Sequence, residues 1–126
     1  MILHRNRKII YPQPPVIVNN QIIEEVKKTK FLGVTITNNL TWHEHIMQLR
    51  NKLSKVCGVL HITKPYLTKT SMLLIYSALI HSNLIYCNTI WGGASKEALR
   101  PLEVVHKRAI RFIEGLKKSD HTNDTF

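Results

Sequence analysis

What this chain of 126 residues has least of is acid. Aspartate occurs only at Asp120 and Asp124, and glutamate only at Glu24, Glu25, Glu44, Glu97, Glu103 and Glu114. Two-metal phosphoryl chemistry needs carboxylates converging on ions roughly 3.5–4 Å apart. Two aspartates in a frayed tail and scattered glutamates on amphipathic or turn-flanking positions do not supply that. Cysteine is scarce too. Cys57 and Cys87 stand in apolar helical patterns, with neither metal-ligand spacing nor the density of a disulfide framework. They read as reduced, buried thiols of an intracellular protein. No G-x-x-x-x-G-K or G-x-G-x-x-G phosphate loop is present, no glycine-rich elbow precedes a serine, and neither cysteine has a basic neighbour placed to activate it. His43-Glu44-His45 sounds metal-like, but residues two apart on a helix point to different faces, and zinc wants four convergent ligands. No metal site and no cofactor are expected in this chain.

A secretory signal is lacking as well: Met1-Ile2-Leu3 runs at once into His4-Arg5-Asn6-Arg7-Lys8. The expected location is nuclear or cytoplasmic rather than secreted, and the sequons at Asn39 and Asn123 are read as accidental. Charge is missing altogether from residues 71–95, the one stretch resembling a membrane span. However, Ser77, His81, Ser82, Asn83, Asn88 and Thr89 interrupt it, which would set a polar cluster in mid-bilayer. A buried central helix pair accounts for it better than a membrane helix.

Positive charge is what the chain has in excess. Lys and Arg number 18 against 8 acids, a net charge of +10. A surplus of that size on a small domain points to a polyanion, most often nucleic acid; an acidic protein or an anionic membrane is the alternative. The hydrophobic fraction of 44% and charged fraction of 21% are ordinary for a globular protein, so a core can form.

Taken in order, the chain changes character near residue 38. Lys8 to Tyr11 has the composition of a short strand, and Pro12, Pro14 and Pro15 stop regular pairing after it. Val16-Ile17-Val18 and Gln21 to Val26 flank Asn19-Asn20, the pattern of a β-hairpin. Phe31-Leu32-Gly33-Val34-Thr35-Ile36 is β-rich and uncharged, which predicts a strand covered on both faces, with Gly33 marking a bulge or a close backbone approach. Thr41 and Glu44 fit a capping box for a helix whose apolar stripe is Trp42, Ile46, Leu49, Leu53, Val56, Cys57 and Leu60. That helix ends before Pro65. A second starts near Thr68, bends or breaks at His81-Ser82-Asn83 and stops at Gly92-Gly93; His81 reads as a hydrogen-bonded core histidine. Ser95 caps a third, ended by Gly115, with Pro101 kinking its first turn or marking its true start. Residues 119–126 read as a disordered tail.

The basic residues cluster on these helices. Arg50, Lys52 and Lys55 flank the first apolar stripe. On the third helix Leu99, Leu102, Val105, Ala109, Ile110, Phe112 and Ile113 take one side, and at about 100° per residue Arg100, Lys107, Arg108 and Arg111 fall opposite. A solvated face paired to Glu103 and Glu114 explains part of this. Tracking a phosphate backbone explains both the faces and the net charge.

Five blocks in order carry a resemblance. Lys30-Phe31-Leu32-Gly33-Val34-Thr35-Ile36, Leu40-Thr41-Trp42 with His45-Ile46, Leu84-Ile85-Tyr86-Cys87, Ile90-Trp91-Gly92 and Lys107-Arg108-Ala109-Ile110-Arg111 together resemble the C-terminal part of non-LTR retrotransposon reverse transcriptases, the jockey-like RNA-directed DNA polymerases. The likeness spans about residues 16–115. It implies that Lys30, Phe31, Leu32, Gly33 and Val34 form a primer grip, a strand and turn holding the primer's 3′ end. It implies that the following helices form the thumb along the primer–template duplex. The family's metal-binding aspartates and their divalent ion, such as Mg, belong to an earlier palm segment absent from this chain. Where the family has an aspartate in the Leu-x-Tyr-Cys block and a proline before it, this chain has Ile85 and Ser82.

The expected fold is therefore α+β and mainly α. Residues 1–38 form an end-of-palm β segment, 39–118 a helical thumb of three or four helices, and 119–126 a tail. The expected function is that of a reverse-transcriptase fragment, from a truncated insertion, a partial gene model or a domesticated remnant. It would hold primer–template nucleic acid, RNA or DNA, and be inactive alone. The missing palm is a further partner, and no membrane is expected. A protein-interaction or assembly module left from a mobile element is the alternative.

Overall fold

The computed structural model describes residues 14–116; the Lys8–Tyr11 strand and the tail at 119–126 lie outside the described residues. The fold is α+β and mainly helical: two small antiparallel hairpins precede a set of helices. The described residues form two compact units, divided between His45 and Ile46.

In the first unit, β1 (Val16–Val18) pairs with β2 (Gln21–Ile23) in the register Val18↔Gln21. The two residues between them, Asn19 and Asn20, hold φ of 50° and 60°. Positive φ at both central positions is the type I′ requirement, which asparagine tolerates, so the predicted hairpin forms. All six strand residues are exposed.

The second hairpin corrects an expectation. Phe31 to Ile36 is not one strand but two, β3 (Lys28–Phe31) and β4 (Val34–Thr37), closed by Leu32-Gly33 at φ 47° and 81°. Gly33 marks a turn, not a bulge, because it supplies the left-handed backbone a two-residue loop needs. Nor is the run covered on both faces. β3 is exposed throughout, whereas Val34 and Thr35 of β4 are buried.

The capping box is replaced by ties back to this hairpin. The Thr41 hydroxyl donates to Asn39 Oδ1 at 2.9 Å, and Thr37 Oγ1 donates to the Thr41 carbonyl at 2.8 Å. Glu44 accepts from Lys28 at 2.6 Å. Helix α1 (His43–Thr63) starts just beyond.

In the second unit, the stripe predicted on α1 is the core: Ile46, Leu49, Leu53, Cys57 and Leu60 are buried. Val56, at the stripe's edge, is half-buried. A short 3-10 turn (Lys64–Tyr66) holds Pro65 after α1. Thr68 then caps α2 (Lys69–Ile75), its hydroxyl accepting from Ser71 N–H at 3.2 Å. Winding continues as a π-helix (Tyr76–His81) and α3 (Ser82–Ile85). The chain does not break at His81-Ser82-Asn83. It breaks at Cys87, where φ is 51°, before α4 (Asn88–Trp91). Gly92 follows, as predicted, its N–H on the Asn88 carbonyl at 2.6 Å. A Cβ there would lie 2.5 Å from that oxygen, so the turn needs glycine for space rather than for φ.

Residues 71–91 are not a buried helix pair. Met72, Ile80 and Trp91 enter the core, but Leu74, Ile85 and Ile90 are more than half exposed. His81 is an exposed residue stacked on Tyr76, not a core histidine. No helix among the described residues is long and apolar enough to cross a membrane.

Helix α5 (Lys96–Glu114) completes the unit with Leu102, Val105, Ala109 and Ile113 inward. Ser95 Oγ accepts from Ala98 N–H at 3.3 Å, so the helix begins before Pro101 rather than at it. Gly115, at φ 72°, ends it; the Leu116 N–H reaches the Arg111 carbonyl at 3.1 Å, a Schellman closure. The Cys57 thiol sits 3.7 Å from the Val105 carbonyl, and burial pushes its pKa up although Arg108 opposes the shift. It is a packed, unreactive thiol. Cys87 is half-buried.

Candidate nucleic-acid interface

Two groups of predicted site residues lie in the two units, and each has its own geometry. In the first unit the Leu32-Gly33 turn projects Phe31 and Leu32 into solvent, 63% and 71% exposed. Lys28 and Lys30 share one face of β3, opposite Thr37 and Thr35. Lys28 is held by Glu44, an exposed ion pair of small energetic weight. Val34, the last residue of the predicted grip, points inward and is buried.

The hairpin is positioned by a histidine. With Phe31↔Val34 closing the loop as a hydrogen-bonded pair, Thr35 falls at a non-bonded position and its N–H leaves the sheet. It donates to His45 Nδ1 at 3.3 Å. Only a neutral imidazole can accept there. Burial lowers the His45 pKa, and the nearby Lys30 charge pushes the same way. His43, by contrast, is exposed.

In the second unit the seven predicted cations separate. Arg50 lies on one flank of the α1 stripe. Lys52 lies on the other, donating to Asn83 Oδ1 at 2.7 Å. Lys55 is exposed. On α5, Lys107 pairs with Glu103 at 2.8 Å and holds that carboxyl below the usual range. Arg111 is half-buried. The remaining three come together. Arg50 of α1 and Arg100 and Arg108 of α5 line one open groove of about 340 Å³ with Ser54, Glu97, Pro101, Val104 and Val105.

Sequence reasoning names the three arginines but not their neighbours. The missed signal is a second stripe on α5, Glu97, Pro101, Val104 and Arg108 at spacings of four, three and four, beside the core stripe. Arg50 and Ser54, four apart, face it from α1.

A second cluster joins Tyr76, His81 and His106. Tyr76 Oη and His106 Nε2 are 2.6 Å apart, and the Tyr76 ring stacks on both His106 and His81, with centroids 5.9 and 6.1 Å away. Burial lowers the His106 pKa, with His81 adding to it, and raises that of Tyr76. No three His, Cys, Asp or Glu side chains among the described residues are grouped to hold a metal.

No protein-family model matches the chain, and no solved structure matches it. A sequence relative does. It is the probable RNA-directed DNA polymerase from transposon X-element of Drosophila melanogaster, 26% identical over 105 residues. The match takes in 81% of this chain but only 12% of that protein, so the chain spans about an eighth of its relative's length. What this chain is distantly similar to, over most of its length, is a transposon reverse transcriptase.

Proposed function

We propose that the chain is the primer-grip and thumb region of a jockey-like retrotransposon reverse transcriptase and that it holds primer–template nucleic acid. In this reading, residues 1–38 close the palm and 39–118 are the thumb. The Lys30-to-Val34 turn meets the primer end, and the α1–α5 cations follow the phosphates. The observation that carries the reading is the convergence of Arg50, Arg100 and Arg108 on one groove in a chain distantly similar to a transposon RNA-directed DNA polymerase.

Among the described residues no three His, Cys, Asp or Glu side chains are grouped to hold the polymerase's divalent metal, and the helix carboxylates have other partners. Glu44, Glu103 and Glu114 each face a lysine, at 2.6, 2.8 and 2.8 Å. Glu97 shares its groove with three arginines. In this reading catalysis belongs to the palm, and the part played by this chain is to bind. Intracellular action, nuclear or cytoplasmic, goes with that role.

Charge reversal tests the reading. Arg50→Glu/Arg100→Glu/Arg108→Glu should weaken duplex binding by at least about tenfold, and Lys27→Glu/Lys28→Glu by less. Equal losses from both sets would refute the groove as the contact surface.

One observation favours a second reading. Val16, Ile17, Ile22, Leu74, Ile85 and Ile90 are exposed apolar residues, a composition typical of protein contact surfaces. Under that reading the chain is an interaction or assembly module. Concentration-dependent association indifferent to added nucleic acid would support it against the first.

A further inference from the structure

The α1–α5 groove is not a plain phosphate track. Its lining sets three arginines and Glu97 beside the apolar side chains of Pro101, Val104 and Val105. A surface that only follows a duplex backbone has no use for an apolar lining, because stacked, paired bases hide their faces and offer only their edges in the grooves. We propose that this groove seats one unpaired nucleotide of a single strand, its base flat against Val104 and Pro101 and its phosphate on Arg50 and Arg108. The inference rests on the nucleic-acid reading above and narrows it to the form of strand.

Four features agree. The groove's volume of about 340 Å³ is that of a small-ligand site. Its cations are all arginines, while Lys52, Lys55, Lys96 and Lys107 of the same two helices are outside its lining. Arginine's planar fork both stacks on a base and grips a phosphate bidentately, which lysine cannot do. Glu97 repels a phosphate, so the phosphate takes the arginine side and the base edge meets the carboxylate. A carboxylate accepts from an exocyclic amino group. Pro101 adds a second acceptor, since with no N–H it leaves the Glu97 carbonyl without its i+4 donor. Cytosine and adenine carry the amino group that both acceptors want; thymine and uracil do not.

The test titrates the whole chain with a short single strand carrying 2-aminopurine and with the same sequence as a blunt duplex, at matched salt. The single strand should bind about tenfold tighter, with a change in 2-aminopurine emission as the base unstacks into the groove. An oligo(dC) strand should bind tighter than oligo(dT). Arg50→Lys/Arg108→Lys, which keeps the charge, should abolish the single-strand preference, so that single strand and duplex bind the variant alike. Arg100→Lys alone should reduce it in part, so the result does not hang on one variant's folding. Equal binding of both forms, unmoved by the lysine variants, overturns the groove inference and leaves the general reading standing. An acidic peptide that displaces the single strand at equal concentration also overturns it. Binding of neither form at low salt overturns both.

Discussion

Leu32 and Gly33 carry more of the first unit's design than their exposure suggests. Both hold left-handed backbone, at φ 47° and 81°, and only glycine does so without a Cβ penalty. Gly33→Ala should cost about 1 kcal/mol, and Leu32→Asn should be neutral or mildly stabilising; hydrogen exchange at the Val34 and Thr35 amides reads both. Equal exchange in Gly33→Ala and the parent would contradict the turn. The need for glycine here is legible in the sequence, but the turn is not. An uncharged β-rich run with one glycine looks the same whether it continues or doubles back, and only the pairing Lys30↔Thr35 decides. His45 and His106 make a second prediction at this scale. Both have folded pKa values lowered by burial, below an unfolded value of about 6.5. The unfolded chain therefore takes up protons first as the pH falls. The associated stability is complete above about pH 6.5 and declines as acid is added toward the folded values. His45→Gln/His106→Gln keeps hydrogen-bonding side chains while removing the titration, and should flatten the acid branch of denaturant midpoints. An unchanged acid branch would show that neither histidine is held neutral.

Among the elements, α1 and α5 were the most readable, because a three-and-four spacing of apolar residues admits one inward face. The α1 stripe from Ile46 to Leu60 and the α5 stripe from Leu102 to Ile113 follow it. The segment between them misleads for a physical reason. An uncharged run reads as buried, yet here only Met72, Ile80 and Trp91 anchor it and the rest of its apolar side chains face water. Its π turn is equally hidden from periodicity. Residues five apart lie about 140° apart on an α-helix, but i→i+5 winding brings Tyr76 and His81 to one side, where their rings stack. Leu53→Ala, at a fully buried position, should cost about 2–5 kcal/mol. Leu74→Ala, at an exposed one, should stay within about 0.5 kcal/mol. Equal costs in denaturant melts would mean that α2 is covered in solution.

For the whole molecule, the net charge of +10 points to a polyanion. What composition cannot reveal is how that charge is divided. Lys28, Lys69 and Lys107 are committed to glutamates, Lys52 to an asparagine, while three arginines from two helices share a groove. Grouping Arg100, Lys107, Arg108 and Arg111 as one face treats α5 as an isolated cylinder. Packing against α1 sorts them instead, and brings in Arg50 from 50 residues earlier than Arg100. If this sorted charge neutralises phosphates, the salt dependence of binding measures it most directly. Fluorescence anisotropy of a labelled primer–template over a range of salt concentrations should give a plot of log K against log salt that falls linearly, with about 0.9 of slope for each phosphate neutralised. That slope should become shallower by about 0.9 or more when Arg50, Arg100 and Arg108 are replaced by glutamate, which takes away at least one phosphate contact. Binding that ignores salt, or a slope unchanged in that variant, would contradict the account.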